Sequence, residues 1–235
     1  RLVGEADAVS VSNRFLQKKF KGALLPHCRD TSVLDPQKFN PDEIKERIGL
    51  AGKKVVMFLG TPRPHKGLDD LLAAFKKIGD LNVKLVIIGA ENQQEFLKRV
   101  DHSIRESVVV LPKTSFQKLP ELLSAADILA IPQRRTSDSV GQIPARLFDA
   151  MSMAKPIIAT RVSDIPEVLN NCGYLVDPNK PSQLADAIKY ILNHSDEARV
   201  KGAAARARCR QKYDIHNLES GLSGLIEQVI AKKAN

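Results

Sequence analysis

The chain has 235 residues, 43% of them hydrophobic and 27% charged, a composition typical of a globular protein with one or two domains. Its longest apolar runs, Val55–Leu59 and Leu85–Ile88, fall far short of the roughly 18 residues of a membrane span, so no membrane-spanning helix is predicted. The net charge of +9 favours an anionic ligand or surface, whereas the 5% aromatic content and the lack of tryptophan argue against a nucleic-acid partner.

The first residues of the chain differ in pattern from the rest. Ala8–Ser12 and Ala23–Pro26 are short strand candidates on either side of a basic helix. The polar stretch Asp30–Pro41 contains two prolines and is predicted to be a linker.

From about residue 54 onward, strand and helix patterns alternate. The predicted strands are Val55–Leu59, Val83–Ile88, Val108–Leu111, Ile128–Ile131, Pro156–Thr160 and Gly173–Val176. The predicted helices are Gly67–Ile78, Glu91–Asp101, Lys118–Ser124, one beginning at Pro144, Ile165–Leu169, Pro181–Asn193, Ser195–Lys212 and Asn217–Lys232. This alternation predicts an α/β fold with a doubly wound parallel sheet, whose functional loops lie at the carboxyl ends of the strands.

The most distinctive segment runs from Pro144 to Thr160. Pro144 is predicted at the first position of a helix, and a Lys-Pro pair ends that helix before a short buried strand. The helix follows a polar loop, so its N-terminus can bind an anion. Asp149 lies further along, where it could accept hydrogen bonds from a sugar hydroxyl. The alternative is a solvated carboxylate paired with Arg146.

This segment resembles the nucleotide-sugar signature of family 4 retaining glycosyltransferases, which have the GT-B fold. The resemblance is carried by Asp149–Ser152, Ala154–Thr160, Asp164–Val168 and Gly173–Pro178. The family's first carboxylate falls on Gly141, so that carboxylate is missing in this chain.

The resemblance also implies a division of the chain. Residues 1–30 are similar to the end of the family's N-terminal acceptor domain. Residues 31–53 would be a linker and the first helix, and residues 54–235 the nucleotide-sugar-binding Rossmann-like domain with its C-terminal helices. Because most of the acceptor domain would be absent, this chain alone is expected to be inactive.

The loop Gly60–Gly67 joins the first long strand to its helix and is neither a P-loop nor a dinucleotide motif. Arginine and lysine suit phosphate oxygens, and an Arg and a Lys of the family hold the donor diphosphate at this loop. The resemblance therefore implies catalytic roles for Arg63 and Lys66, although Thr61 occupies the usual Arg position. An exposed basic turn is the alternative.

The resemblance assigns donor binding to several strand-end loops. Gly89 lies under the donor, and the loop around Lys113 reads the nucleobase edge; simple turns are the alternative at both places. The expected donor-binding residues are Gly60, Thr61, Gly89, Glu91, Leu111, Lys113, Ser139, Val140, Gly141, Gln142, Ile143 and Asp149.

The implied activity is transfer of a sugar from a nucleoside-diphosphate sugar to a saccharide or lipid-linked acceptor, with retention at the anomeric carbon and with no metal or other cofactor. A non-catalytic nucleotide-sugar-binding module and a nucleotide-sugar epimerase of the same fold are the alternatives. The three cysteines are odd in number and far apart, and the five histidines lack metal-ligand spacing, which favours a reducing, cytoplasmic compartment.

Two basic segments, Lys18–Lys21 and Arg199–Lys212, account for much of the excess charge. Solvated helix faces are the plainer interpretation. The more specific interpretation is peripheral contact with an anionic inner membrane surface, where each basic residue contributes about 1 kcal/mol of binding free energy.

Overall fold

The computed structural model describes residues 2–234, and eight strands occur in this part of the chain. In chain order they are β1 (Ser10–Val11), β2 (Ala23–Leu24), β3 (Lys54–Leu59), β4 (Val83–Ile88), β5 (Val108–Leu111), β6 (Ile128–Ile131), β7 (Ile157–Thr160) and β8 (Tyr174–Val176). Strands β1 and β2 form a separate parallel pair. The other six form one sheet in the order β5–β4–β3–β6–β7–β8, with every neighbouring pair parallel. The predicted doubly wound α/β fold is confirmed.

Helices connect these strands and cover both faces of the sheet. They are α1 (Arg14–Phe20), α2 (Pro41–Arg47), α3 (Leu68–Ile78), α4 (Gln93–Arg99), α5 (Leu119–Ser124), α6 (Ser137–Val140), α7 (Ala145–Ser152), α8 (Ile165–Leu169), α9 (Pro181–Asn193), α10 (Ser195–Lys212) and α11 (Ile215–Ala234). Short 3₁₀ turns lie at Leu2–Glu5, Pro36–Lys38, Pro64–Lys66 and His102–Ser107.

The core has one layer on each face of the sheet, because successive side chains of a strand point to opposite faces. Met57 packs in the layer that contains Phe148 of α7. Its neighbour Phe58 packs in the other layer, with Leu71 and Phe75 of α3. The central strand β3 is therefore buried from both sides, which explains its continuous apolar run.

The helix that follows Pro144 differs from the prediction at both ends. Pro144 is the N-cap, with φ −66° and ψ 126°, so the first helical residue is Ala145. The helix ends at Ser152 because Ala154 adopts a left-handed φ of 52°. A further difference is α6, one helical turn inside the stretch predicted as a long loop, where Thr136 and Ser139 form a capping box.

The N-terminal segment, residues 2–40, packs against the rest of the chain. Its backbone bonds to the junction of α10 and α11, where the Arg29 carbonyl accepts from the Ile215 amide at 2.9 Å. Leu34 is fully buried in the core layer that contains Phe148, and its carbonyl accepts from Arg206 at 2.8 Å. The segment is thus placed to form one wall of the site; the domain boundaries stay a prediction.

Candidate functional site

A cleft of about 480 Å³ opens at the carboxyl ends of the central strands. Leu59 and Ile88, the last residues of β3 and β4, lie at its base, and the first turn of α7 forms one side. Ser12 and His27 of the N-terminal segment line another part of its wall. The cleft is where the fold class predicts a ligand site, because strand ends and helix N-termini meet there.

Nine of the expected donor-binding and catalytic residues line this cleft. They are Gly60, Thr61, Lys66, Gly89, Lys113, Gly141, Gln142, Ile143 and Asp149. Eleven further lining residues were not expected from the sequence: Ser12, His27, Leu59, His65, Ile88, Thr114, Leu119, Gln133, Pro144, Ala145 and Arg146.

Five expected residues do not line the cleft. Arg63 lines a separate pocket, together with Leu68 and Phe96. Glu91 lines a third pocket, near α4. Leu111, Ser139 and Val140 form no part of the cleft wall. Ser139 is fully buried, and its hydroxyl accepts from the Thr136 amide at 2.8 Å in the α6 capping box. The roles given to these five residues stay predictions.

Two glycines allow the β3–α3 loop to pass close to other parts of the chain. Gly67 has φ 70°, and a Cβ there would lie 1.7 Å from the carbonyl oxygen of Pro132. Gly60 has φ 118°, and a Cβ on it would lie 3.1 Å from Lys66 Nζ and 3.5 Å from Arg146 Nη1. Glycine at position 67 therefore lets the loop pack closely against Pro132. Glycine at position 60 leaves open the space beside Lys66 and Arg146 at the end of β3.

Lys66 is half-buried beside this loop, with no acidic partner among residues 2–234. Its pKa is lowered, first by burial and then by the charges of Arg146 and Arg63. Two cations in one cleft without a carboxylate between them favour an anionic ligand.

Arg146 is 6% exposed and lies where α7 meets the end of β3. Its Nη1 donates to the Leu59 carbonyl at 2.7 Å, and its guanidinium carbon lies 4.7 Å from the centre of the Phe58 ring. Burial lowers its pKa to about 10. The available sequence signal was an arginine within a run of residues that are otherwise suited to a core.

Asp149 is 4% exposed and lines the same cleft. One of its carboxylate oxygens accepts from Nε of Arg29, whose Nη1 donates to the Cys28 carbonyl at 2.8 Å. Burial raises the pKa of the Asp149 carboxyl, and Arg29 opposes that shift. The alternative of a solvated carboxylate paired with Arg146 is wrong, because the partner comes from the N-terminal segment.

The position of the missing carboxylate lies against α1. A Cβ on Gly141 would lie 3.5 Å from the ring of Phe15, and Asn13 donates to the Gly141 carbonyl at 2.6 Å. A side chain at this position would therefore begin against α1. The helix α1 and its N-cap Asn13 thus hold the loop that precedes α7.

Metal and membrane features are sparse in residues 2–234. No group of three or more His, Cys, Asp or Glu side chains lies close enough to hold a metal ion. None of the described helices combines the length and apolar character that crossing a bilayer requires.

Curated proteins with related sequences are glycosyltransferases of several kinds. The chain is 26% identical over 222 residues to a GDP-mannose-dependent alpha-(1-6)-phosphatidylinositol monomannoside mannosyltransferase of Mycolicibacterium smegmatis, covering 88% of this chain and 58% of that protein. It is 26% identical over 201 residues to N-acetyl-alpha-D-glucosaminyl L-malate synthase of Bacillus anthracis, covering 82% and 50%. The chain thus spans between half and three fifths of the length of these relatives.

Solved structures resemble this one at low sequence identity. Anabaena HepE in complex with UDP has a TM-score of 0.82 at 18% identity, over 95% of this chain and 64% of that one. Sucrose-phosphate synthase from Thermosynechococcus elongatus has a TM-score of 0.81 at 21% identity, over 97% and 59%. These similarities show the fold, which is the Rossmann-like fold of GT-B glycosyltransferases.

The family model described as "Glycosyl transferases group 1" matches residues 53–194. The match covers β3 to α9 and includes every expected site residue. Because it spans more than half of the 235 residues, this protein belongs to the group 1 glycosyl transferases.

Proposed function

We propose that this chain is the donor-binding part of a retaining, family 4 glycosyltransferase that uses a nucleoside-diphosphate sugar. One observation carries the proposal: the cleft at the strand ends holds two cations without carboxylate partners and, separately, a buried carboxylate on α7. A nucleoside diphosphate complements both, because its phosphates are anionic and its ribose hydroxyls donate hydrogen bonds.

Two features would bind the diphosphate. Lys66 offers a point charge, and the first turn of α7 offers backbone N–H groups. The N-cap Pro144 provides no side-chain cap for that turn, so the amides of Ala145 and Arg146 stay available to an anion. The helix fixes these amides before the ligand arrives, and in the proposed complex they and Lys66 lie where charge develops on the leaving group.

Asp149 would bind the ribose. Arg29 bonds to its Oδ1, which holds the carboxylate in one orientation and leaves Oδ2 to accept from a hydroxyl. Lys113 and Thr114 line the cleft at the end of β5, which makes that loop the candidate contact for the nucleobase.

The proposed reaction breaks the bond between the anomeric carbon and the diphosphate oxygen. The acceptor oxygen bonds to the same carbon on the same face, and the acceptor's proton passes to the departing phosphate. The acceptor would be a saccharide or a lipid-linked saccharide; one relative is named for a phosphatidylinositol mannoside acceptor. Peripheral contact with a cytoplasmic membrane surface would go with a lipid-linked acceptor.

A thermal-shift panel of GDP-mannose, UDP-glucose and ADP-glucose, each with its free diphosphate, tests donor binding. A ligand at 100 times its Kd adds about 2.7 kcal/mol to the free energy of unfolding. For a chain of this size that corresponds to roughly 5–10 °C in Tm. If all three diphosphates leave Tm unchanged, the proposal fails.

A transfer assay tests the chemistry. The chain is incubated with the best-stabilising donor and a panel of acceptors, and the product's anomeric configuration is read by NMR. We expect donor binding without transfer from this chain alone, because alignment of the acceptor requires a closed cleft with an acceptor wall. Steady transfer would show that the chain has its own acceptor site, and an inverted product would refute the retaining class.

A further inference from the structure

We infer that Arg146 is the arginine that binds the donor diphosphate together with Lys66, in the place that the sequence resemblance gives to Arg63. The inference rests on the proposed function and deepens it. The arginine inferred here comes from α7, whereas the arginine that the resemblance implies comes from the β3–α3 loop.

The first support is the unbalanced charge of Arg146. Three other partly buried arginines in the described residues face carboxylates: Arg29 bonds to Asp149, Arg134 bonds to Asp70 at 2.7 and 2.8 Å, and Arg206 bonds to Asp35 at 3.0 Å. Arg146 is more buried than any of the three yet has no carboxylate partner among residues 2–234. A buried charge without a partner is costly, and an anionic ligand in the cleft would compensate it.

The second support is the set of free donors on the guanidinium. Nε and Nη2 are buried and have no hydrogen-bond partner among residues 2–234. Buried donors in folded proteins are nearly always paired. Both atoms are also closed to solvent, so an anion at the wall of the cleft would balance the charge of the guanidinium where it lies and would accept from these two donors after a shift of the side chain.

The third support is the position of Lys66. Its Nζ and the Nη1 of Arg146 both lie within about 3.5 Å of the point where a Cβ on Gly60 would be. Two like charges this close repel each other, and the pKa of Lys66 is lowered first by burial and then by the charges of Arg146 and Arg63. A diphosphate carries two negative charges next to each other and so matches the pair, and Gly60 leaves room for it.

The guanidinium is also held in place before a ligand binds. The Leu59 carbonyl fixes Nη1 at 2.7 Å, and the Phe58 ring supports the guanidinium plane. Arg63, in contrast, lines a pocket away from the cleft and takes an extended conformation before the Pro64–Lys66 turn. Arg146 therefore already lies at the cleft wall, whereas Arg63 would have to move into the cleft.

The test compares phosphate-dependent binding in Arg146→Met, Arg146→Lys and Arg63→Met. Arg199→Met is the matched control, because Arg199 is an 80% exposed side chain on α10 and its loss changes the net charge equally. GDP and UDP are titrated by calorimetry, and guanosine and uridine by NMR. Thermal unfolding is recorded for every variant, and Arg146→Gln, which keeps a donor for the Leu59 carbonyl, replaces Arg146→Met if the latter does not fold.

We expect Arg146→Met to weaken binding of the better diphosphate by about 10- to 100-fold, the range for a hydrogen bond to a charged group. Binding of the matching nucleoside should stay the same, because it lacks the phosphates. Arg146→Lys should restore much of the affinity, Arg63→Met should cost less than Arg146→Met, and Arg199→Met should behave like the parent.

Three results would overturn the inference. One is unchanged diphosphate affinity in Arg146→Met, and another is an equal loss for nucleoside and diphosphate, which would indicate a purely structural role. The third is a phosphate-specific loss in Arg63→Met that exceeds the loss in Arg146→Met. If the parent chain binds neither GDP, UDP nor ADP, the proposed function itself fails, which is a separate outcome.

Discussion

Replacement of Arg29 by methionine would remove the partner of a carboxylate that is almost fully buried in the cleft. The side chains of Arg29 and Asp149 are 18% and 6% exposed. Loss of one member of a buried ion pair costs about 3–5 kcal/mol, because the other charge stays buried without compensation. Water can reach the vacated position of Arg29, so we expect the lower end, about 3 kcal/mol at pH 7. For a chain of this length that is roughly 6–12 °C in Tm.

The loss should depend on pH with a definite sign. Burial raises the pKa of Asp149 above its usual 3.8, and Arg29 is what opposes the shift. Without Arg29, the folded carboxyl binds protons more tightly than the unfolded one. The penalty is then small near or below pH 3.8, where the carboxyl is protonated in both states, and it grows as the pH rises through the folded pKa.

Urea unfolding of the parent and Arg29→Met at pH 7 and at pH 4 measures this difference. The double variant Arg29→Met with Asp149→Asn should recover part of the lost stability, because it removes the stranded charge. Arg14→Met is the matched control, because Arg14 also joins the N-terminal segment to the rest of the chain through an ion pair, with Glu167. Both side chains of that pair are more than half exposed, so the urea midpoint of Arg14→Met should barely differ from that of the parent.

Equal midpoints for the parent and Arg29→Met at pH 7 would refute the reasoning. So would a loss of the same size at both pH values, because the penalty could then not come from an ionised Asp149. Either result would also remove the basis for treating Arg29 as the residue that orients the carboxylate.

Asp149→Asn should reduce the preference of the chain for GDP over 2′-deoxy-GDP in calorimetry; an unchanged preference would mean that the carboxylate does not contact that ribose hydroxyl. Gly67→Ala should lower the free energy of unfolding in urea by more than about 3 kcal/mol, because a Cβ at φ 70° would lie 1.7 Å from the Pro132 carbonyl oxygen. Gly141→Ala is its counterpart, where ordinary contacts at 3.5 Å should keep the change within about 0.5 kcal/mol. Lys155→Met should raise the urea midpoint at pH 7, since burial lowers the Lys155 pKa to about 8. That gain should shrink between pH 8 and 10.5 as the folded and then the unfolded lysine lose their protons, and a gain independent of pH would contradict it.

The sequence by itself determined the sheet. Strand β4 has the predicted bounds, and β3 begins one residue earlier than predicted. The reason is that a strand buried on both faces needs a continuous apolar run, which is visible without any tertiary information. The alternation of such runs with helices also placed the cleft, because parallel strands direct their following loops to one edge.

The sequence also located the signature helix, but not its ends. The residue before a proline is disfavoured in a helix, which suggested that α7 continues until the pair Lys155-Pro156 stops it. The helix stops at Ser152 because the chain turns through Ala154 at φ 52°, a conformation that local sequence preference disfavours for alanine.

Only the tertiary structure decided which charges meet in the cleft. Arg29 reaches Asp149 across 120 residues, and Arg146 reaches the end of β3 across 87. Both arginines lie in positions where a surface role was equally compatible with the sequence. Such pairs follow from how the N-terminal segment and α7 pack on the sheet, and packing over these separations leaves no periodic trace in the chain. The sequence therefore determined where the cleft lies, and the fold determined which side chains line it.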